Sequence, residues 1–116
     1  MAHTLQITDT ARKTLKALKK AAKAAEKGRR QNKKTSSSNQ EGLYEQVVKT
    51  LRHLKENPRH RGLQTHKYDA IVNPVRQGES VFEAYAQNLT CGAYRVFWCY
   101  GPGKTDITII AVTPHP

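Results

Sequence analysis

Tyr94-Arg95-Val96-Phe97-Trp98-Cys99-Tyr100 is the stretch on which the fold of this chain turns. These seven residues, dense in aromatic and β-branched side chains and followed by Gly101-Pro102-Gly103-Lys104, read as a strand bounded by a turn. Side chains alternate across a strand, so Arg95, Phe97 and Cys99 point one way and Tyr94, Val96, Trp98 and Tyr100 the other. A strand over residues 81–87 precedes it, after which comes a turn around residues 88–92, and a third strand over 107–113 follows. Connections this short imply antiparallel hairpins. In the first of the three, Glu83, Tyr85 and Gln87 share a face, while Phe82, Ala84 and Ala86 share the other. Sending Phe82, Val96 and Trp98 into the core leaves Glu83, Tyr85 and Arg95 projecting from an open sheet face.

Upstream, the apolar period changes from two to about 3.6. Ala11, Leu15, Leu18, Ala22 and Ala25 recur at spacings of 4, 3, 4 and 3, one stripe on a helix of about five turns. Thr8, Asp9 and Thr10 offer its N-cap, and Gly28 its C-terminal stop. A second helix is expected over residues 41–56, burying Leu43, Val47, Leu51 and Leu54, and ending at Asn57-Pro58. Residues 31–40 carry no apolar side chain and read as a flexible polar linker between the two helices. Leu5-Gln6-Ile7-Thr8 suffices for a short first strand, and residues 59–78 for a long loop with a short strand around 68–72. The expected architecture is α+β, a single domain over residues 1–116. It comprises a short N-terminal strand and a two-helix antiparallel hairpin packed on a small, mainly antiparallel sheet of three to four strands.

The charge is as unevenly placed as the apolar residues. The net charge is +11, and between Arg12 and Lys34 eleven Lys and Arg face one acid, Glu26. Nearly all the excess is therefore in the first helix and the linker. Such a block attracts polyanions through phosphate neutralisation and counterion release. Alanines rather than bulky apolar residues lie opposite the lysines, which argues against a membrane-surface helix. No apolar run has the length to cross a membrane, and the N-terminus lacks a signal-peptide core, so a cytoplasmic location is expected. Cys91 and Cys99 have neither CxxC spacing nor flanking histidines and read as two reduced thiols. Gly103-Lys104-Thr105 resembles the end of a P-loop, but the earlier glycine is missing and two strands flank it. It is a turn.

The element order, with Tyr94-Arg95-Val96-Phe97-Trp98 in the middle strand of the sheet, resembles the RelE/ParE toxin superfamily. Thr8-Asp9-Thr10-Ala11-Arg12-Lys13-Thr14-Leu15 is similar to that family's strand-to-helix entry. The segment from Gly62-Leu63 to His66-Lys67 sits where the family has a basic loop. Val81-Phe82-Glu83-Ala84-Tyr85 and Ala111-Val112-Thr113-Pro114-His115 are similar to its hairpin and closing strands. The resemblance covers most of the chain apart from the linker and an insertion over residues 69–78. It implies a RelE-like fold and a toxin of a toxin–antitoxin system. The implied activity is that of an endoribonuclease that cleaves mRNA on the ribosome and inhibits translation, silenced by an acidic antitoxin protein. The alternative on the same fold is a non-catalytic RNA-binding protein or a ParE-like gyrase inhibitor.

Cleavage by a ribose 2′-OH needs a group to take its proton, one to steady charge on the phosphorane and one to protonate the leaving 5′ oxygen. Arg95 matches the family's catalytic arginine position, and its planar fork suits phosphate oxygens. Glu83 or Tyr85 can serve as base, and His115 as acid or second phosphate contact. RelE itself carries lysines where this chain has Glu83 and Tyr85, so the chemistry here would be that of a carboxylate, Arg and His. The opposing reading of the same residues is a structural Arg95 paired with Glu83 across the hairpin. Lys16, Lys19, Lys20, Lys23 and Lys27 on the first helix, with His66 and Lys67 in the loop, are the expected RNA contacts. His53 and His60 read as solvated surface, and no metal or organic cofactor is expected.

Overall fold

The computed structural model describes residues 2–32, 39–87 and 92–114. Its elements are β1 (Thr4–Ile7), α1 (Asp9–Gln31), α2 (Asn39–Glu56), a one-turn 3₁₀ helix (Arg61–Leu63), β2 (His66–Lys67), β3 (Phe82–Tyr85), β4 (Tyr94–Tyr100) and β5 (Asp106–Pro114). The five strands form one sheet in the order β1-β5-β4-β3-β2, antiparallel except that β1 runs parallel to β5. This is one strand more than the three to four expected. The extra strand is β2, whose two residues are too short to carry a period. The strand expected around residues 68–72 is absent; that segment is loop.

α1 begins where the caps direct. Thr8 is extended and its hydroxyl accepts from the Ala11 amide at 3.2 Å, while Asp9 sits in the first turn beside the positive end of the dipole. The same hydroxyl donates to the Ile110 carbonyl at 2.6 Å, fixing the helix start to β5. The helix runs through Gly28 rather than stopping there. Asn32 ends it instead, its amide and side chain both donating to the Gly28 carbonyl. Two arginine contacts hold the added turn: Arg30 pairs with Glu26 at 2.6 Å, and Arg29 reaches Glu41 of α2 at 3.1 Å. Gln31 thus belongs to α1, and Asn39 and Gln40 to α2, which shortens the expected linker from both ends. The remaining linker residues, 33–38, lie outside the described residues.

The core forms between the helix hairpin and one sheet face. Ala11, Val47, Leu54, Ala84, Val96, Trp98, Ile107, Ile109 and Val112 are buried together, with Leu15, Leu18, Leu43 and Leu51 packed partly against them. Full burial of a side chain such as Leu54 contributes about 1.5–3 kcal/mol. A bulge between Phe97 and Trp98 shifts the β4–β5 register. It lets Ile109 and Val112, three residues apart, both face the core, which strict alternation would forbid. The cost of a short core is met partly by aromatic stacking: Phe82 lies on Trp98 at 4.8 Å, and Tyr100 meets Trp98 edge-on at 5.0 Å. Among the described residues no helix is long and apolar enough to cross a membrane.

The insertion over residues 69–78 is an ordered loop. Buried Asn73 organises it: its side-chain oxygen accepts from the Val75 and Arg76 amides at 2.9 and 2.8 Å, and its amide donates to the Ser80 carbonyl. Arg76 then donates to the carbonyls of Pro102 and Gly103, tying the loop to the β4–β5 turn. Gly101 permits that approach, having φ +104° and no side chain to meet the Arg76 guanidinium. Asn73→Ala is expected to cost about 2 kcal/mol, since two backbone donors lose their acceptor in a buried place. Chemical denaturation checks this, and a loss below about 0.5 kcal/mol would mean that the loop is held by other contacts.

Candidate functional site

The helix-free face of the sheet brings together four of the expected residues. Tyr85 lies opposite Arg95 in the β3–β4 register, Glu83 opposite Phe97, and His66 of β2 opposite Glu83. Directly opposed residues share a face, so His66, Glu83, Tyr85 and Arg95 all project away from the helices. An Arg95 Nη1 hydrogen bond to Glu83 Oε2 spans 2.5 Å diagonally across the hairpin. The His66 ring meets Tyr85 edge-on at 6.0 Å. Hydrogen bonding to Glu83, reinforced by partial burial, raises the Tyr85 phenol above its ordinary pKa. At neutral pH Tyr85 is therefore a proton donor, poorly suited to act as a base.

This face is not open, as the alternation alone suggested. Glu83 is 5% and Arg95 8% exposed. The cover is Tyr68, whose ring packs on Phe97 at 4.6 Å, with the Arg95 guanidinium 5.4 Å from the Tyr68 ring centre and 4.8 Å from that of Phe97. The guanidinium thus packs against two aromatic rings and one carboxylate. Arg95 Nε has no hydrogen-bond partner among the described residues. Beyond Phe97 on the same face, Cys99 is fully buried, and that burial pushes its thiol above the ordinary range. The pairing of Arg95 with Glu83, which the sequence offered as the competing reading, is present in the structure.

The remaining expected residues fall elsewhere. His115 lies outside the described residues, which reach Pro114 of β5, and Thr113 stands opposite Arg95. His66 and Lys67 occupy opposite sides of β2, since Lys67 is registered with Phe82 on the helix side. Lys16, Lys19, Lys20, Lys23 and Lys27 are all exposed along α1. The sequence reading assigned no role to Tyr68 or Arg76. An aromatic residue in an otherwise polar, aperiodic loop was the available signal for Tyr68. His66 was read as a phosphate contact, and its place beside Glu83 and Tyr85 came into view only with the pairing of β2.

The architecture is a RelE-like α+β fold, with a buried guanidinium–carboxylate pair on the sheet face away from the helices. Among solved structures it is similar to a chain in the crystal structure of the archaeal RelE–RelB complex from Pyrococcus horikoshii OT3. That likeness has a TM-score of 0.57 at 17% identity and covers 98% of this chain and 96% of that one. No family model and no curated protein matches the chain.

Proposed function

We propose that this protein is a RelE-type toxin, an endoribonuclease that cleaves mRNA on the ribosome and inhibits translation, with an acidic antitoxin protein as its partner. The observation that carries this reading is the gathering of Arg95, Glu83, Tyr85 and His66 on the helix-free sheet face of a RelE-like fold. The strongly basic α1 supports an RNA target. In this mechanism a scissile phosphate competes with Glu83 for the Arg95 guanidinium, whose fork binds phosphate oxygens and stabilises the phosphorane. Glu83, relieved of its partner, takes the 2′-OH proton as the 2′ oxygen bonds to phosphorus. The bond to the 5′ oxygen breaks, and that oxygen takes a proton from His115. The products are a 2′,3′-cyclic phosphate and a 5′-hydroxyl. Tyr85, as a neutral phenol, donates a hydrogen bond to the carboxylate, and His66 contacts a flanking phosphate.

The burial of Arg95 and Glu83 specifically favours a second reading, a non-catalytic RNA-binding or ParE-like gyrase-inhibiting protein on the same fold. Expression in cells with mapping of RNA 5′ ends separates the two. His115→Ala is expected to slow cleavage by about 10²-fold or more, the usual contribution of a positioned acid. Tyr85→Phe, which keeps the ring, should slow it less. Codon-linked cuts that persist undiminished in the His115→Ala protein would remove His115 from the mechanism. Intact RNA with damaged DNA would replace the nuclease by the gyrase reading.

A further inference from the structure

The helix hairpin leaves one end of the sheet uncovered on its own side. α2 ends at Glu56, and the backbone amide of His3 donates to the carbonyl of Lys55 at its last turn. Beyond that point Phe82 and Tyr100 are only half-buried. Tyr100 meets Phe82 edge-on at 5.8 Å, and both rings rest on the buried Trp98. Two hollows adjoin at Tyr100. The first, of about 560 Å³, is lined by His3, Glu56 and Arg59 among others. The second, of about 350 Å³, is lined by Lys67, Ser80, Glu79 and Phe82. Arg59 and Lys67 are both exposed, one in each hollow.

We infer that these two hollows form a binding site for single-stranded RNA, with bases stacking on Tyr100 and Phe82 and phosphates meeting Arg59 and Lys67. Partly exposed aromatic rings backed by a rigid core suit base stacking, which is insensitive to sequence. The rings cannot yield, because Trp98 fills the space behind them. The site also holds two carboxylates, Glu56 and Glu79. Towards a base they act as acceptors for exocyclic amino groups. Glu79 is in addition balanced by Arg76 at 3.7 Å. The site also lies next to an edge of the sheet. β2 is an edge strand of two residues, Lys67 facing this site and His66 facing Glu83. A strand of RNA crossing that edge passes from one to the other. The inference shares RNA as target with the proposed function, but not its chemistry.

Trp98 is the only tryptophan, so its emission reports directly on the rings stacked against it. The full-length chain titrated with a hexamer of adenylate should show a saturable change in that emission, and a polyphosphate of equal charge should not. Tyr100→Ser should weaken hexamer binding about tenfold, and Arg59→Ala several-fold, while Tyr100→Phe binds as the parent does. Circular dichroism confirms that each variant is folded. Unchanged affinity in a folded Tyr100→Ser protein, or an identical emission change with polyphosphate, overturns the inference. If cells expressing the protein show no RNA cleavage yet Tyr100-dependent binding remains, the nuclease reading falls and this site stands.

Discussion

Glu83→Ala is expected to lower stability by about 3–5 kcal/mol, a large fraction of what a small domain possesses. The substitution leaves the Arg95 guanidinium buried against Tyr68 and Phe97 without the Glu83 carboxylate that pairs with it. Arg95→Ala should cost a similar amount for the mirrored reason, since the Glu83 carboxylate then stays in a buried place without its cation. The double replacement Glu83→Leu with Arg95→Met should recover most of the loss, because two apolar groups of similar volume need no partner. Urea denaturation at constant m-value measures all three. A cost below about 1 kcal/mol for Glu83→Ala would mean that the pair is solvated. The result also bears on function. A strongly coupled pair must be parted by substrate before Arg95 can hold a phosphate, so loss of activity in Arg95→Ala means little until the variant is shown to be folded.

Replacing Lys16, Lys19, Lys20, Lys23 and Lys27 together by Gln is expected to weaken binding to ribosomal RNA on the order of a hundredfold at moderate salt. Lys16, Lys20, Lys23 and Lys27 follow helical spacing along one exposed stripe of α1, with Lys19 beside it. Each phosphate contact contributes about 0.7–0.9 to the slope of log affinity against log salt, so loss of five should lower the slope by about 3.5–4.5. The helix should survive the change. Gln is nearly as good a helix former as Lys, and repulsion between like charges one turn apart disappears. Filter binding over a range of salt concentrations tests the point. An unaltered slope would show that α1 faces solvent in the complex, and that its charge serves another purpose.

Legibility followed length and period. β4 was readable to the residue because seven consecutive side chains declare a strand and turn residues follow. The stripe from Ala11 to Ala25 gave α1 its packed face, with Ala11 and Ala22 its buried members. Gly28 misled because a glycine near a helix end is a stop signal only if nothing extends the helix, and here Arg29 finds Glu41 on the neighbouring helix. Such a contact lies beyond any local pattern. The identity of the site face was also legible, since alternation separates Arg95 from Trp98. Its burial was not. That depends on Tyr68 and on a loop held by one asparagine, and a loop's path is set by hydrogen bonds that leave no period in the sequence.

β1 pairs with β5 in parallel, Thr4 with Asp106 and Ile7 with Ile109, and the cap of α1 is anchored to Ile110. The first strand therefore has nothing to pair with until the chain has been synthesised as far as β5. Contacts across so long a span make closure of the sheet a late and comparatively slow event. A growing chain can assemble its helix hairpin early. It then remains incomplete, with Trp98 and its neighbours unsheltered, until the closing strand is available. Maturation is thus timed by the arrival of β5, which gives any binding partner an interval in which to engage the nascent protein before its sheet is closed.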